Sequence, residues 1–477
     1  MSTDVVEGDP GERSGRRRRS EHEGFWLVPR LRALVLALLV GTAASAARAD
    51  ADRGLGQPID PGARTIAPAE PDPALESLEE GATGDWFGVR SMLSERGIEF
   101  EGGYAFEVLG NVRGGIERGA APAGLLELAL TADLERSIGW PGASLRASGF
   151  HLVGDDASVD LVGSLFTVSN IAGPSGWRLY EAWLDQSLFD GLVSIRAGQL
   201  AADAEFAASE HAGLFLDATF GWPAFLYANL PAGAPCFPMG TLGARLAIHP
   251  ADWLTVDGAV LQGDPLFQDA DSNGFEWDGD EDAGIFFVNE IHASWNGGEG
   301  PDALAGRAGV GVWTHFFDVP NADPLSDDTY PRNYGVYVVL DQSLWLESGD
   351  GGSPGSHAGA PQGLAGFVRL AGSPSDRSVI ALYGDAGLVY RGLLPGRDED
   401  VVGIAFAYGG VTRGARSAIE LEGLDPANAE ILVEATYEAR LLPWLAIQPD
   451  LQVVIDPGAT TSVDPAVVVG ARLSVAF

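Results

Sequence analysis

The sequence PAVVVGARLSVAF at residues 465–477 decides the fold, because its apolar side chains recur at every second position. Successive side chains of an extended chain point to opposite faces, so this spacing predicts a β-strand. One face carries small residues and Arg472. The other face is wholly apolar and consists of Val467, Val469, Ala471, Leu473, Val475 and Phe477. A strand of about ten residues with these two faces suits a tilted crossing of a bilayer, with lipid on one side and a wet lumen on the other.

The same alternation recurs along the chain and predicts sixteen strands. They are 98–109, 124–134, 143–153, 177–188, 192–200, 240–249, 253–263, 284–295, 306–316, 333–345, 364–372, 377–390, 400–412, 430–442, 444–454 and 465–477. An even number of strands is typical of bacterial outer-membrane barrels.

The predicted connections differ in length in a way that favours a membrane barrel. Connections after odd-numbered strands are mostly long, as in 154–176 and 201–239, and those after even-numbered strands are mostly short, as in 189–191; exceptions are 346–363 and 373–376. Outer-membrane barrels have long outer loops and short periplasmic turns. A soluble sandwich or solenoid would also alternate, but it would explain neither the even count nor this asymmetry. We therefore predict an all-β fold, a 16-stranded antiparallel transmembrane β-barrel located in the outer membrane.

The N-terminal residues 1–49 are predicted to be a signal peptide. Arg16–Arg19 form a basic region, Leu31–Val40 form a short apolar run, and Ala47–Ala49 form a small-residue cleavage site before Asp50. Export from the cytoplasm is consistent with a barrel in the outer membrane.

Three further segments follow the predicted signal peptide. Residues 50–82 are rich in Pro, Ala and acidic residues and are predicted to be a flexible lead-in. Residues 83–97 are predicted to contain a short helix that Asp85 caps and Gly97 ends. Residues 98–477 then form the barrel.

The composition excludes several function classes. The chain of 477 residues contains no lysine, and its 29 arginines face 67 acidic residues, for a net charge of -38. This balance excludes the basic surface that nucleic-acid binding requires. A single cysteine, Cys236, excludes an internal disulfide, a CxxC motif and a cysteine-rich zinc site. The sequence has neither an HExxH motif nor a phosphate-binding loop of the Walker A type, so we expect no enzyme activity and no cofactor.

Several motifs, in order along the chain, resemble those of the carbohydrate-selective porin family (OprB type). They are GDWFGVR (Gly84–Arg90), RLYEAW (Arg178–Trp183), GQLAADAEF (Gly198–Phe206), FGWP (Phe220–Pro223), QGDP (Gln262–Pro265) and PWLAIQPDLQ (Pro443–Gln452). Phe87 departs from the pattern, because the family usually has Gly there. The resemblance implies a sixteen-stranded porin for passive sugar diffusion. The terminal Phe477 resembles the signal by which barrels engage the assembly machinery.

Two other functions and the oligomeric state stay open at this point. The charge of -38 would also suit a general or cation-preferring porin, and an outer-membrane enzyme or adhesin is a third alternative. The sequence does not distinguish a monomer from a trimer.

Sugar passage predicts charged and aromatic side chains at a constriction. Arg and carboxylate groups bind hydroxyls through paired hydrogen bonds, and an aromatic ring offers a stacking surface. We expect the long connection 201–239 to fold inward and narrow the lumen, with its carboxylates facing Arg196 on the lumen side of strand 192–200. The predicted sugar-binding residues are Arg90, Glu107, Arg178, Glu181, Arg196, Asp203, Glu205 and Trp222.

Two of these predictions carry explicit conditions. Arg178 and Glu181 lie three residues apart, so a regular strand would place them on opposite faces unless a bulge intervenes. Arg90 precedes the barrel and reaches sugar only if its segment enters the lumen; otherwise it is a periplasmic clamp.

A weak calcium-loop pattern lies in an outer loop. The sequence DADSNGFEWDGD at 269–280 fits D-x-D-x-N-G-x5-D through Asp269, Asp271, Asn273 and Asp280. Its last position is Asp instead of the bidentate Glu, and no flanking helices are predicted. A solvated acidic loop is the alternative.

Overall fold

The computed structural model describes residues 81–265, 273–275, 277, 283–296, 304–347 and 362–477, and these form a closed barrel. The strands are β1 (Ile98–Arg113), β2 (Gly119–Asp133), β3 (Ala143–Gly154), β4 (Gly176–Leu188), β5 (Val193–Leu200), β6 (Thr241–Ala251), β7 (Leu254–Gln262), β8 (Ile285–Trp295), β9 (Gly306–Phe316), β10 (Val319–Pro320), β11 (Thr329–Tyr330), β12 (Asn333–Leu346), β13 (Gly363–Gly372), β14 (Ile380–Arg391), β15 (Val401–Val411), β16 (Ala429–Leu442), β17 (Leu445–Ile455) and β18 (Ala466–Ala476).

All sixteen predicted strands are confirmed in the barrel wall. Each pairs antiparallel with its neighbours in the sequence, and β18 pairs with β1 to close the barrel. The short strands β10 and β11, which were not predicted, form a separate two-stranded sheet in the connection between β9 and β12.

Helical segments are short and lie before the first strand or between strands. The α-helices are Val89–Glu95, Leu134–Ile138, Ala218–Gly221, Ala224–Asn229 and Arg413–Leu421. Helical turns of the 3₁₀ type are Trp86–Gly88, Ala212–Leu214, Pro231–Gly233 and Pro457–Ala459, and Ser158–Val162 is a π-helical turn. Within the described ranges, no helix has the length and apolarity that crossing a membrane requires.

Each strand alternates between an apolar outer face and a lumen face. On β12, Val336 and Val338 are exposed on the outside, whereas Tyr337, Val339 and Asp341 are buried on the inside. Apolar side chains on the outer face meet lipid, which explains why so many of them are exposed in this fold.

The two ends of the barrel differ as the loop lengths predicted. One end, the long-loop rim, carries the connection between β3 and β4 and the connection between β5 and β6. The opposite end, the short-turn rim, carries tight turns such as the one between β16 and β17. The exceptional connections keep to this alternation, because β12 ends at the short-turn rim and β13 ends at the long-loop rim.

The connection between β5 and β6, residues 201–240, folds into the barrel as predicted, and we call it the constriction loop. Its Phe215 and Phe220 are almost fully buried and pack against Phe367 of β13 at centroid distances of 5.9 and 6.1 Å. Phe225 packs against Tyr383 of β14 at 5.6 Å. The hydrophobic core of the protein therefore lies inside the barrel, between this loop and the wall.

A second connection, residues 155–175, also enters the lumen, which the sequence did not predict. Glu430 of β16 accepts hydrogen bonds from the backbone N–H groups of Leu165 and Phe166, each at 2.8 Å. Gln452 of β17 donates to the Val168 carbonyl at 2.9 Å. Wall side chains thus hold this segment, which we call the second inward loop, against the strands.

The pre-barrel segment lies beside the C-terminal strand. The backbone N–H of Ala82 donates to the carbonyl of Ala476 at 2.7 Å. The predicted helix is shorter than expected, Val89–Glu95, because Phe87 and Gly88 adopt left-handed backbone conformations with φ of 60° and 91°. Glycine tolerates such a conformation without strain, which gives a physical reason for the Gly that the resemblance places where Phe87 stands.

Candidate functional site: a charged constriction inside the barrel

Arg369 of β13 is the main anchor of the constriction loop. Its guanidinium group is buried and pairs with Asp385 of β14 at 2.6 Å. The same group donates hydrogen bonds of 2.7–2.9 Å to four backbone carbonyls of the loop, those of Ala207, Thr219, Phe220 and Gly221. One side chain therefore fixes two separate points of the loop to the wall.

Wall carboxylates anchor the same loop through its backbone N–H groups. Glu434 of β16 accepts from Leu216 and Asp217 at 2.6 and 3.1 Å. Glu290 of β8 accepts from Ala207 at 3.0 Å. The loop is thus held at separate places on the wall, and buried backbone groups that no strand pairs with obtain partners.

The constriction consists of two arginines and two carboxylates. Arg196 of β5 and Arg245 of β6 are directly paired in register, so their side chains lie side by side on the lumen face. Arg196 donates to Asp185 at 3.1 Å and to Glu205 of the loop, and Arg245 donates to Glu205 at 2.5 Å. The Arg196 guanidinium also lies 3.9 Å from the ring centroid of Trp183.

The loop carboxylates have different roles, which corrects one expectation. Glu205 faces Arg196 as predicted, whereas Asp203 accepts hydrogen bonds from the Tyr180 hydroxyl at 2.9 Å and the Phe237 N–H at 2.7 Å. Asp203 therefore closes the loop on itself and on β4 instead of opposing Arg196. Its position at the start of the loop turns it away from the arginine, a geometry that strand alternation alone does not define.

The two loop carboxylates also differ in acidity. Burial raises the pKa of Asp203 to about 6, against the effect of its two hydrogen bonds. Burial would also raise the pKa of Glu205, but the guanidinium groups of Arg196 and Arg245 outweigh it and hold that pKa below its ordinary value. Glu205 is therefore an ionised bridge between two cations.

A β-bulge in β4 resolves the condition on Arg178 and Glu181. In the pairing of β3 with β4, Ser148 lies opposite Glu181 and the next residue lies opposite Leu179, so Tyr180 has no register partner. Arg178 and Glu181 are consequently both buried on the inside. Arg178 donates to the Pro174 carbonyl at 3.1 Å, in the second inward loop.

A cavity of about 1460 Å³ lies inside the barrel, and the constriction residues Arg196, Arg245 and Glu205 form part of its lining. Five predicted residues line it: Glu181, Arg196, Asp203, Glu205 and Trp222. Three predicted residues are not part of its lining: Arg90, Glu107 and Arg178.

Like Arg178, whose contact with Pro174 is given above, Glu107 and Arg90 make contacts within the protein. Glu107 is buried, pairs with Arg472 at 2.7 Å and accepts from Ser169 of the second inward loop. Arg90 lies in the pre-barrel segment, where it donates to the Phe100 carbonyl at 3.2 Å and faces the Trp86 ring at 5.5 Å. This position favours the clamp alternative for Arg90.

Sequence reasoning missed Arg245, Arg146 and Arg369. Arg245 and Arg369 were assigned to strands, but nothing in the sequence identified their partners. A signal existed, because each is an isolated charge on the lumen side of a strand otherwise rich in apolar and small residues. Arg146 of β3 lines the cavity and donates to Glu101 and Thr131 at 3.0 and 2.9 Å.

The calcium-loop hypothesis falls mostly outside the described residues. Asp269, Asp271 and Asp280 are not described, whereas the Asn273 carbonyl accepts from the Leu179 N–H at 2.8 Å. In the part of the chain that the structure covers, no group of three or more His, Cys, Asp or Glu side chains is arranged to hold a metal ion.

A closed barrel with an apolar outer face, a charged lumen and an inward loop defines a diffusion channel of the outer membrane, a porin. The comparisons agree: the model of the carbohydrate-selective porin, OprB family, matches residues 117–477. The chain belongs to this family, and it is an outer-membrane porin for carbohydrates.

Individual relatives and a solved structure are similar to this chain. Porin B of Pseudomonas aeruginosa is 25% identical over 433 residues, covering 83% of this chain and 90% of that protein. The putative porin QuiX of Acinetobacter baylyi is 22% identical over 426 residues, covering 83% and 92%. The high-pH structure of Pseudomonas putida OprB superimposes with a TM-score of 0.74 at 22% identity, covering 84% of this chain and 99% of that one.

Proposed function

We propose that the chain is a passive channel without catalytic activity that selects mono- and small oligosaccharides at its constriction. Arg196 and Glu205 provide the hydrogen-bonding groups, Glu181 adds an acceptor on the neighbouring wall, and Trp222 offers an aromatic surface. All four line the same cavity. Sugars are neutral and ringed with hydroxyls, so adjacent donors and acceptors suit them better than a single sign of charge.

The observation that carries this proposal is the bridge from Glu205 to two arginines inside the lumen. In this bridge, the carboxylate of Glu205 on the loop accepts hydrogen bonds from the guanidinium groups of Arg196 and Arg245 on the wall. A hydrogen bond to a charged group contributes about 1.5–3 kcal/mol where water is excluded, and less in a wet pore. Binding should therefore be weak, as transport requires.

Single-channel conductance in planar bilayers tests the proposal. Glucose and short glucose oligomers should reduce the ion current of the native channel. We expect Arg196→Ala to raise conductance and to weaken the sugar block strongly. Arg377→Ala is the control, because Arg377 lies in the connection after β13 on the long-loop rim and pairs with Asp376.

A general or cation-preferring porin is the second candidate, and the charge of -38 favours it. This alternative predicts a current that sugar does not reduce in the native channel. It also predicts that Arg196→Ala changes only the preference for cations.

A further inference from the structure

The charges at the constriction largely satisfy one another. The side chains of Arg196 and Asp185 are only 3% and 7% exposed, and Glu205, at 18%, uses both oxygens on arginines. A solute that passes needs polar partners that are more exposed. The wall beside the constriction, on β7, β8, β9 and β12, provides them.

Four charged or polar side chains lie on the lumen face of these neighbouring strands. Asp257 of β7 lies opposite Glu290 of β8 in the register, and His292 is the next residue of β8 on the same lumen face. Arg307 of β9 lies directly opposite Asp341 of β12 in the register, and its Nη2 donates to Glu290 of β8 at 3.0 Å. Asp257, His292, Arg307 and Asp341 all line the cavity.

Their position is distinct from the constriction. In the register of β6 with β7, Arg245 lies opposite Ala259, and Asp257 lies two residues nearer the short-turn rim, opposite Ala247. Arg307 is the second residue of β9, which begins at that rim. The group therefore lies between the constriction and the short-turn rim. Arg307 is 29% exposed and His292 is 17% exposed, so a solute can reach both.

The contacts of His292 define which hydrogen bond it can offer. Arg307 Nη2 lies 3.2 Å from His292 Nδ1. A guanidinium group can only donate, so Nδ1 accepts and the proton of the neutral imidazole is on Nε2. His292 is then a donor through Nε2, beside the carboxylate of Asp257, whose Oδ2 is 3.5 Å from Nδ1.

Asp341 supplies an independent indication of a ligand. Its Oδ1 accepts from Ser209 of the constriction loop, and the residue is 5% exposed. Its Oδ2 is buried and has no hydrogen-bond partner among the residues that the structure describes. Buried carboxylate oxygens are normally hydrogen-bonded, and the hydroxyl of a solute held by Arg307 would supply the partner with a small movement of the side chain.

We propose that Asp257, His292, Arg307 and Asp341 form a second sugar-binding subsite between the constriction and the short-turn rim. The inference rests on the proposed sugar transport. The ligand is a neutral mono- or disaccharide with adjacent hydroxyls, one donating to a carboxylate and the next accepting from Arg307 or His292. With Glu290, which pairs with Arg307, three carboxylates face one guanidinium, and this balance disfavours acidic sugars. A second weak site lets a sugar leave the constriction in steps.

The test uses sugar added to one side of a bilayer that holds the full-length porin in known orientation. For Asp257→Asn and Arg307→Gln, we expect about three- to tenfold more glucose for half-block from the short-turn side, the loss of roughly one hydrogen bond. Arg397→Gln is the matched control, because Arg397 lies in the turn after β14 on the same rim and pairs with Asp400 at 2.7 Å. It should leave the block unchanged.

Three outcomes would overturn the subsite. Unchanged glucose block from the short-turn side in both variants, with native heat-modifiable mobility, removes it while leaving the proposed function intact. Tighter block by glucuronate than by glucose contradicts the neutral-sugar assignment. Block by a divalent cation that Asp257→Asn abolishes, with glucose block unchanged, identifies a cation site instead. Failure of the proposed function itself is recognisable separately, since the native channel would then show no sugar block from either side.

Discussion

Replacing Arg369 should loosen the constriction loop without removing the barrel. Arg369→Met deletes four hydrogen bonds to loop carbonyls and leaves Asp385 buried without its cation. Removing one partner of a buried ion pair costs about 3–5 kcal/mol. Backbone pairing of the strands is untouched, so we expect the cost to appear mainly as a mobile loop.

Conductance recordings and heat-modifiable mobility on gels check this expectation. The variant should show larger and noisier ion currents and weaker glucose block, together with a lower temperature for loss of the folded band. The double variant Arg369→Met with Asp385→Leu removes the lone carboxylate, so it should regain much of the thermal stability while the currents stay noisy. Arg377→Met controls for loss of an arginine that pairs with a neighbouring carboxylate at the long-loop rim. Quiet currents and native glucose block in a folded Arg369→Met channel would refute the anchoring role.

Three further predictions follow from individual contacts. Deleting Phe477 should lower the amount of folded barrel in the membrane, because its N–H donates to the Gly102 carbonyl at 2.8 Å where β1 and β18 close the wall; normal levels would contradict this. Asp203 has a pKa of about 6 in the fold against ~3.9 for a free Asp, so its contribution to stability falls as pH rises from about 4 to about 6. Asp203→Asn should flatten thermal stability across that range, and an unchanged pH profile would count against it. Gly311→Ala should destabilise the barrel by about 1–3 kcal/mol, because a Cβ there would overlap the Tyr337 ring; an unaltered melting temperature would show that the ring moves freely.

The barrel was predictable because its two environments impose a period of two. A strand with lipid on one face and a lumen on the other must alternate. Some ends agree closely, as in the predicted 430–442, observed as Ala429–Leu442, whereas the predicted 124–134 is observed as Gly119–Asp133. Arg196 was placed on the lumen face by the same argument. Its partner Glu205 was predicted too, since the inward loop begins directly after that strand.

The remaining site depends on information that alternation does not contain. One extra residue at Tyr180 brings Arg178 and Glu181 to the same side, and no sequence pattern indicated that bulge. Arg245 becomes Arg196's neighbour only through the register of β5 with β6. The contacts of Arg369 join residues about 150 positions apart, so they exist only once the loop has folded inward.

The acidity of the lumen wall follows from filling a barrel with loops. Every wall strand already pairs its backbone with two neighbours, so an inward loop finds no free strand edge, and its buried N–H groups need side-chain acceptors. Glu290, Glu430 and Glu434 serve in this way, each accepting from loop backbone. A carboxylate committed to the loop is a weaker attraction for a passing cation than its charge suggests. The selectivity of the pore is therefore to be sought in the charges that solute can reach, Arg307 and Asp257 among them, and not in the net charge of the chain.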